Sequence, residues 1–136
     1  MIVADTGAVI ALLHTDDPHH KEVLEAYDDP DAWILPWATL PEVDYLLWKR
    51  VGPAAADVFL DDLAEGRWTV EWGVEKDLAR AQQINRQYRA LKLGLADGVV
   101  MAIAERLKAK AIATLDLKHF AAVELAGAPR LLPRDL

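Results

Sequence analysis

The chain has 136 residues, 53% hydrophobic and 27% charged, and carries a formal net charge of −7. A chain of that length is expected to form one domain, residues 1–136, burying roughly two-thirds of the surface it exposes when unfolded. The absence of cysteine excludes a disulfide framework and a thiolate metal site, and the acidic balance argues against a surface that binds polyanions throughout.

Asp5 cuts the first apolar run short after residues 1–4, so no signal-peptide pattern opens the sequence. No later apolar run nears the roughly twenty residues of a bilayer span. A cytoplasmic protein with no membrane partner is expected. Ile2–Ala4 reads as a short strand ending in Asp5-Thr6-Gly7, and residues 8–13 read as a short helix. Asp16-Asp17-Pro18 marks a turn and a helix start, because proline suits a first helical turn. Residues 19–28 follow as an amphipathic helix with Val23, Leu24 and Tyr27 inward. A polar turn over residues 28–31 leads to a second strand, 33–35, stopped by Pro36. Two helices, 39–50 and 54–65, are separated by Gly52-Pro53. Residues 68–72 hold the aromatic and β-branched side chains that a strand favours, and 74–91 read as a long helix bearing Arg80, Arg86 and Arg89.

Residues 95–116, LADGVVMAIAERLKAKAIATLD, organise the rest. Residues 97–109 are good helix formers, with Val99, Val100, Ile103 and Leu107 on an apolar face and Glu105, Arg106 and Lys108 on the wet one. Residues 111–115 are short and apolar, as in a strand buried within a parallel sheet. About thirteen helical residues descend roughly 20 Å, and about five strand residues climb back roughly 16 Å. The chain therefore returns Asp116 to the neighbourhood of Asp97. A short helical piece at 118–123 and a last strand at Arg130–Leu132 complete the reading. Strands alternate with helices or helix pairs throughout, which predicts an α/β domain with a mainly parallel sheet.

In open sheets of this kind ligands sit outside the carboxyl ends of the strands. Asp5 and Asp116 close strands at that edge, and Asp97 and Glu42 lie in first turns of helices that start from it. Each has a simpler use. Asp5 can cap a helix, Thr39 with Glu42 matches a capping box, Asp97 is a favourable charge at a helix N-terminus, and Asp116 suits a turn. Four carboxylates converging on one edge repel one another unless a cation binds among them. With no cysteine and no well-placed histidine evident, hard oxygen ligands select Mg²⁺ or Mn²⁺. Phosphodiester hydrolysis is the natural chemistry of such a site.

Asp5-Thr6 after a first strand, Glu42 in an early helix, the block at 95–116 and the following Leu117-Lys118-His119-Phe120 together resemble a PIN domain. Within that family the sequence is most similar to the VapC toxins of bacterial and archaeal toxin–antitoxin pairs. The resemblance spans essentially the full length. It implies a central, mainly parallel sheet of four to five strands flanked by helices in three layers, and a Mg²⁺- or Mn²⁺-dependent ribonuclease. It places the principal metal ligands on Asp5 and Asp97, the second and fourth acidic positions on Glu42 and Asp116, and the orienting hydroxyls on Thr6 and Thr114. It also implies an RNA substrate, a cognate antitoxin and a homodimer.

Residues 1–75 hold 4 Lys/Arg against 16 Asp/Glu, and residues 76–136 hold 11 against 6. Candidate RNA contacts are therefore Arg80, Arg86, Arg89 and Lys92, with Arg106 and Lys108. Trp33, Trp68 and Trp72, in or beside strands, are expected in the core. Trp48 lies on a helix apolar on more than one face, open to a partner. His19-His20 point to different helix faces and are read as a surface helix start. A haloacid-dehalogenase chemistry would need an aspartate where Gly7 stands, and the acidic pair and late-strand lysine of a receiver domain are not evident. The remaining alternative is a PIN domain that binds RNA or a protein without cutting.

Overall fold

The computed structural model describes residues 1–28 and 32–136. Part of the turn predicted over 28–31 falls outside them. In chain order the elements are β1 (Ile2–Ala4), α1 (Thr6–Leu13), α2 (His20–Tyr27), β2 (Trp33–Pro36), α3 (Leu40–Arg50) and α4 (Pro53–Ala64). Then come β3 (Thr69–Glu71), α5 (Glu75–Gln87), α6 (Leu95–Arg106), β4 (Ala111–Ala113), α7 (Leu117–Phe120) and β5 (Arg130–Leu132). Single 3₁₀ turns at Trp37–Thr39 and Arg89–Leu91 lead into α3 and α6.

The five strands form one sheet in the order β3-β2-β1-β4-β5, parallel at every pairing. Alternation along each strand sorts its side chains between two cores. Ile2, Ala4, Trp33, Leu35, Ala111, Ala113 and Leu132 pack with α1, α2, α3 and α4 on one face. Val3, Ile112 and Leu131 pack with α5, α6 and Phe120 on the other. The result is the expected three-layer α/β arrangement. α6 is set deep against the sheet, with every residue from Gly98 to Ala104 buried, and its first turn, bearing Asp97, emerges from that core. Among the described residues no helix is long and apolar enough to cross a membrane.

The direction of strand order reverses between β1 and β4. At that switch point the carboxyl ends of two neighbouring strands splay apart and leave a crevice. Asp5 N–H donates to the Ala113 carbonyl at 2.8 Å, and Thr114 and Asp116 follow directly, so both chain ends open into the same crevice.

Several expectations need correction. Trp72 is 73% exposed: β3 ends at Glu71 on the edge of the sheet, so its last side chain has no second layer over it. Trp68 is partly buried, and Trp33 is fully in the core. Tyr27 and Leu24 are 43% and 40% exposed, and α2 buries Val23 and Ala26 instead; Tyr27 packs edge-on against Trp33 with ring centroids 5.3 Å apart. The helix expected over 74–91 stops at Gln87, and Lys92 adopts a left-handed backbone (φ 54°). α6 starts at Leu95 and ends at Arg106, before Lys108 turns left-handed (φ 53°). β4 ends at Ala113, not at residue 115: Thr114 N–H makes the last bond across to β5, at the Leu132 carbonyl, and its hydroxyl then takes the Asp116 N–H into a turn.

Candidate active site

The sequence places an acidic or hydroxyl group at each chain end that opens into the crevice. Asp5 stands just before α1 and is 7% exposed, and its side chain makes no N-cap hydrogen bond there. Its Oδ2 instead accepts from Thr114 Oγ1 at 3.0 Å. The same hydroxyl oxygen accepts from the Asp116 N–H at 3.0 Å. One buried threonine thus ties the end of β1 to the turn after β4. Asp116 caps α7, with Oδ1 accepting from the His119 N–H at 3.2 Å, so its turn role is real and leaves Oδ2 for other work.

Asp97 approaches from the first turn of α6. The position of that turn is fixed by a side chain that sequence reasoning passed over. Asn85 on α5 pairs with the main chain of Gly94, accepting from its N–H and donating to its carbonyl, both at 2.9 Å. Its amide also donates to the Ala81 carbonyl at 3.0 Å. Gly94 is the residue before α6 and has a backbone (φ 89°) that favours glycine. It offers no capping side chain, and Asn85 grips it from the neighbouring helix. Gly98 completes the fit: a Cβ there would lie 2.7 Å from Asn85 Nδ2 and 3.1 Å from Ala81 Cβ.

The capping box foreseen for α3 does not form. Thr39 Oγ1 donates to the Pro36 carbonyl at 2.8 Å, and Glu42 is exposed in the first turn of α3. Its charge still reaches the crevice, where it helps to raise the pKa values of both Asp5 and Asp97. Burial, and after it the charge of Asp97, pushes the Asp5 carboxyl from 3.8 up to about 7. Asp97 is also raised, by burial first; its hydrogen bond to His119 opposes the shift and the charge of Asp116 adds to it.

His119 is the member the sequence reading did not foresee. Its Nδ1 lies 2.9 Å from Asp97 Oδ2 and 2.8 Å from Asp116 Oδ2. Ligand atoms of Asp97, Asp116 and His119 all fall within 4.8 Å of one another. The signal was present as the Asp116-x-x-His119 spacing, because residues three apart on a helix share a face.

These donors fit a divalent cation. Asp97 and Asp116 meet at His119, and Asp5 lies close enough to feel the charge of Asp97. Asp5 and Asp97 are both raised by burial and by neighbouring carboxylates, and the arrangement becomes favourable when a positive ion neutralises it. Thr6 Oγ1 is buried beside Asp5 with no hydrogen-bond partner among the described residues, a polar atom available to a ligand of the site.

The expected RNA contacts divide. Arg80 is committed to Glu105, through Nε at 2.6 Å and a second bond at 3.2 Å. Arg106 is committed to Asp77 at 2.8 Å and Glu71 at 2.7 Å, tying α6 to α5 and β3. Arg86, Arg89 and Lys92 are exposed near the start of α6, and Lys108 is exposed after its end. Among the described residues His19 and His20 join no acidic cluster of this kind; they bond Glu22 and the Ala11 carbonyl.

Comparison with known proteins agrees with this fold. Residues 2–125 match the PIN domain family. The chain is 32% identical over 130 residues to Ribonuclease VapC26 of Mycobacterium tuberculosis, covering 95% of this chain and 96% of that one. Among solved structures it is similar to M. tuberculosis VapC20, a Sarcin-Ricin loop cleaving toxin, with a TM-score of 0.81 at 18% identity, covering 95% of this chain and 99% of that one. FitAcB from Neisseria gonorrhoeae gives a TM-score of 0.66 at 20% identity, covering 96% of both chains. VapBC2 from Rickettsia felis, bound to a DNA fragment from its promoter, gives 0.68 at 16% identity, covering 96% and 97%. The protein with Asp5, Asp97 and Asp116 at this crevice belongs to the PIN domain family.

Proposed function

We propose that this protein is a divalent-metal-dependent ribonuclease and the toxin of a toxin–antitoxin pair, with residues 1–136 acting as one catalytic domain. The observation that carries the reading is the grouping of Asp97, Asp116 and His119 within 4.8 Å of one another at the β1/β4 switch point, with Asp5 tied to the Asp116 main chain through Thr114. The relationship to Ribonuclease VapC26 over nearly the whole of both chains supports RNA as the substrate.

Asp5, Asp97 and Asp116 would hold Mg²⁺ or Mn²⁺, with Glu42 adding charge from the rim. Such an ion, when bound, lowers the pKa of the attacking water and stabilises the leaving oxygen of the phosphodiester. The protein's own groups supply order around it. Thr114 fixes the Asp5 carboxylate and the Asp116 main chain, Thr6 Oγ1 offers a hydrogen bond inside the crevice, and burial keeps bulk water from Asp5. Arg86, Arg89 and Lys92 lie beside the start of α6 and can follow the phosphate backbone. Arg80 is left to its structural pair with Glu105. A net charge of −7 makes RNA affinity modest and salt-sensitive, and suits an antitoxin segment that is basic. Tyr45 and Trp48 on α3, 60% and 61% exposed, are a surface for that segment or for a second copy in a homodimer.

The test is cleavage of a mixed RNA pool by purified protein. Cleavage that needs Mg²⁺ or Mn²⁺, stops with EDTA and is lost in folded Asp97→Asn supports the reading. Binding of RNA without cleavage in either metal would favour a non-catalytic PIN domain.

A further inference from the structure

His119 Nδ1 stands 2.9 Å from Asp97 Oδ2 and 2.8 Å from Asp116 Oδ2. A ring nitrogen carries at most one hydrogen, directed along one line. The contact to Asp97 has the alignment of a hydrogen bond, whereas the equally short contact to Asp116 is a charge contact without one. A single N–H can point along only one of these lines or be shared weakly between them, so the second oxygen is left short of a full hydrogen bond. Two ligand atoms held side by side on an octahedral ion at about 2.1 Å are about 3.0 Å apart. Both separations at Nδ1 match that edge.

The three groups are also held in place. Asp116 Oδ1 is occupied by the His119 N–H, which leaves Oδ2 facing the ring. The next residue, Phe120, is 3% exposed and anchors α7 in the core beneath α6. Asp97 sits on the turn that Asn85 clamps through Gly94. The side chains of His119 and Asp97 are 19% and 17% exposed, partly open, as a site that takes up an ion from solution must be.

We propose that His119 Nδ1 is itself a ligand of the divalent ion, sharing it with Asp97 Oδ2 and Asp116 Oδ2, and that this nitrogen makes the site prefer Mn²⁺ to Mg²⁺. Carboxylate oxygens suit Mg²⁺ and Mn²⁺ alike, whereas a nitrogen ligand disfavours the hard Mg²⁺, which is bound through oxygens, more than it disfavours the first-row ion Mn²⁺. One nitrogen among carboxylates shifts the balance without changing the octahedral preference. The inference rests on the metal-dependent reading above and deepens it.

The experiment is pulsed electron paramagnetic resonance on the full chain loaded with Mn²⁺. Wild type is expected to show nitrogen coupling to the bound ion that changes on ¹⁵N labelling of histidine. His119→Gln is expected to lose the coupling, to weaken Mn²⁺ binding about tenfold and to weaken Mg²⁺ binding less. If His119→Gln does not fold, the labelled wild type decides the question alone. Bound Mn²⁺ with no nitrogen coupling, in protein that cleaves RNA, overturns the ligand assignment and leaves the ribonuclease standing. Absence of Mn²⁺ binding overturns the ligand assignment, and absence of binding of both Mn²⁺ and Mg²⁺ overturns the metal-dependent reading with it.

Discussion

The hydroxyl of Thr114, at the end of β4, donates to Oδ2 of Asp5, at the end of β1, across 3.0 Å. The same oxygen accepts from the Asp116 N–H, so Thr114 sets the spacing between the two strand-end aspartates. A hydrogen bond to an ionised carboxylate favours the ionised form, and this one opposes the burial that raises Asp5. Thr114→Val keeps the shape and removes both bonds. Cleavage at pH 7 is expected to fall roughly 10- to 100-fold, the usual cost of losing a partner that orients a metal ligand. The rising limb of the pH profile is expected to move to higher pH, and Thr114→Ser to restore both. Initial rates from pH 6 to 9 for the three proteins check this; a fall in rate with no change in the profile would mean that Thr114 only packs.

Asp5 itself links stability to pH in the metal-free protein. Its carboxyl titrates near its ordinary 3.8 in the unfolded chain and at about 7 in the folded one. Below the first value both states are protonated and nothing is lost. Between the two values the folded state holds the extra proton, so stability falls as pH rises and levels off above about 7. A shift of that size corresponds to on the order of 4 kcal/mol. Asp97 is shifted in the same direction. Asp5→Asn is therefore expected to melt higher than wild type in EDTA, by a margin that widens from pH 5 to pH 8, while cleaving no RNA. Mn²⁺ is expected to raise the wild-type melting temperature and to do so less for Asp5→Asn. Parallel melting curves at all pH values would remove Asp5 as the strained group.

Gly98→Ala tests the clamp on α6. Alanine is the better helix former by about 1 kcal/mol, so propensity alone predicts a gain. The new Cβ would sit 2.7 Å from Asn85 Nδ2 and 3.1 Å from Ala81 Cβ, and the first contact is expected to dominate. Asn85 would have to release Gly94, and the turn bearing Asp97 would shift. Gly98→Ala is expected to lower both melting temperature and cleavage. Asn85→Ala is expected to do the same, and the double variant to lose less than the two single losses added. A double-mutant cycle in melting temperature reads this coupling; strict additivity would separate the glycine from the clamp.

Much of this was legible in the sequence because it depends on period and on chain ends. Strand–helix alternation carries the parallel sheet, and the convention that ligands sit at carboxyl ends carries Asp5, Asp97 and Asp116 to one crevice. What could not be read there depends on contacts between segments distant in sequence. Trp72 looks like a core residue by type and is exposed because β3 is an edge strand. Asn85 looks like an ordinary polar helix residue, and its importance comes from Gly94 lying opposite. Arg80 and Arg106 look like free cations until Glu105, Asp77 and Glu71 are placed around them. His119 was visible three residues after Asp116, but its use depends on Asp97 arriving from α6.

That division of the arginines makes a last prediction. Each single-stranded phosphate neutralised by a cation contributes about 0.7 to the slope of log affinity against log salt. Arg89→Gln with Lys92→Gln removes two exposed charges near the start of α6, and is expected to reduce the slope by about 1.4 with little change in melting temperature. Arg106→Met should behave in the opposite way. Its guanidinium is held to Asp77, whose side chain is 3% exposed, and to Glu71; removing it strands a buried carboxylate and is expected to lower the melting temperature while leaving the salt slope unchanged. Filter binding of a non-cleaved RNA in EDTA, over a roughly sixfold range of salt about physiological ionic strength, measures the slope without any contribution from catalysis. An unchanged slope in the double variant would move the phosphate track away from the start of α6. A reduced slope in Arg106→Met would return that arginine to the RNA.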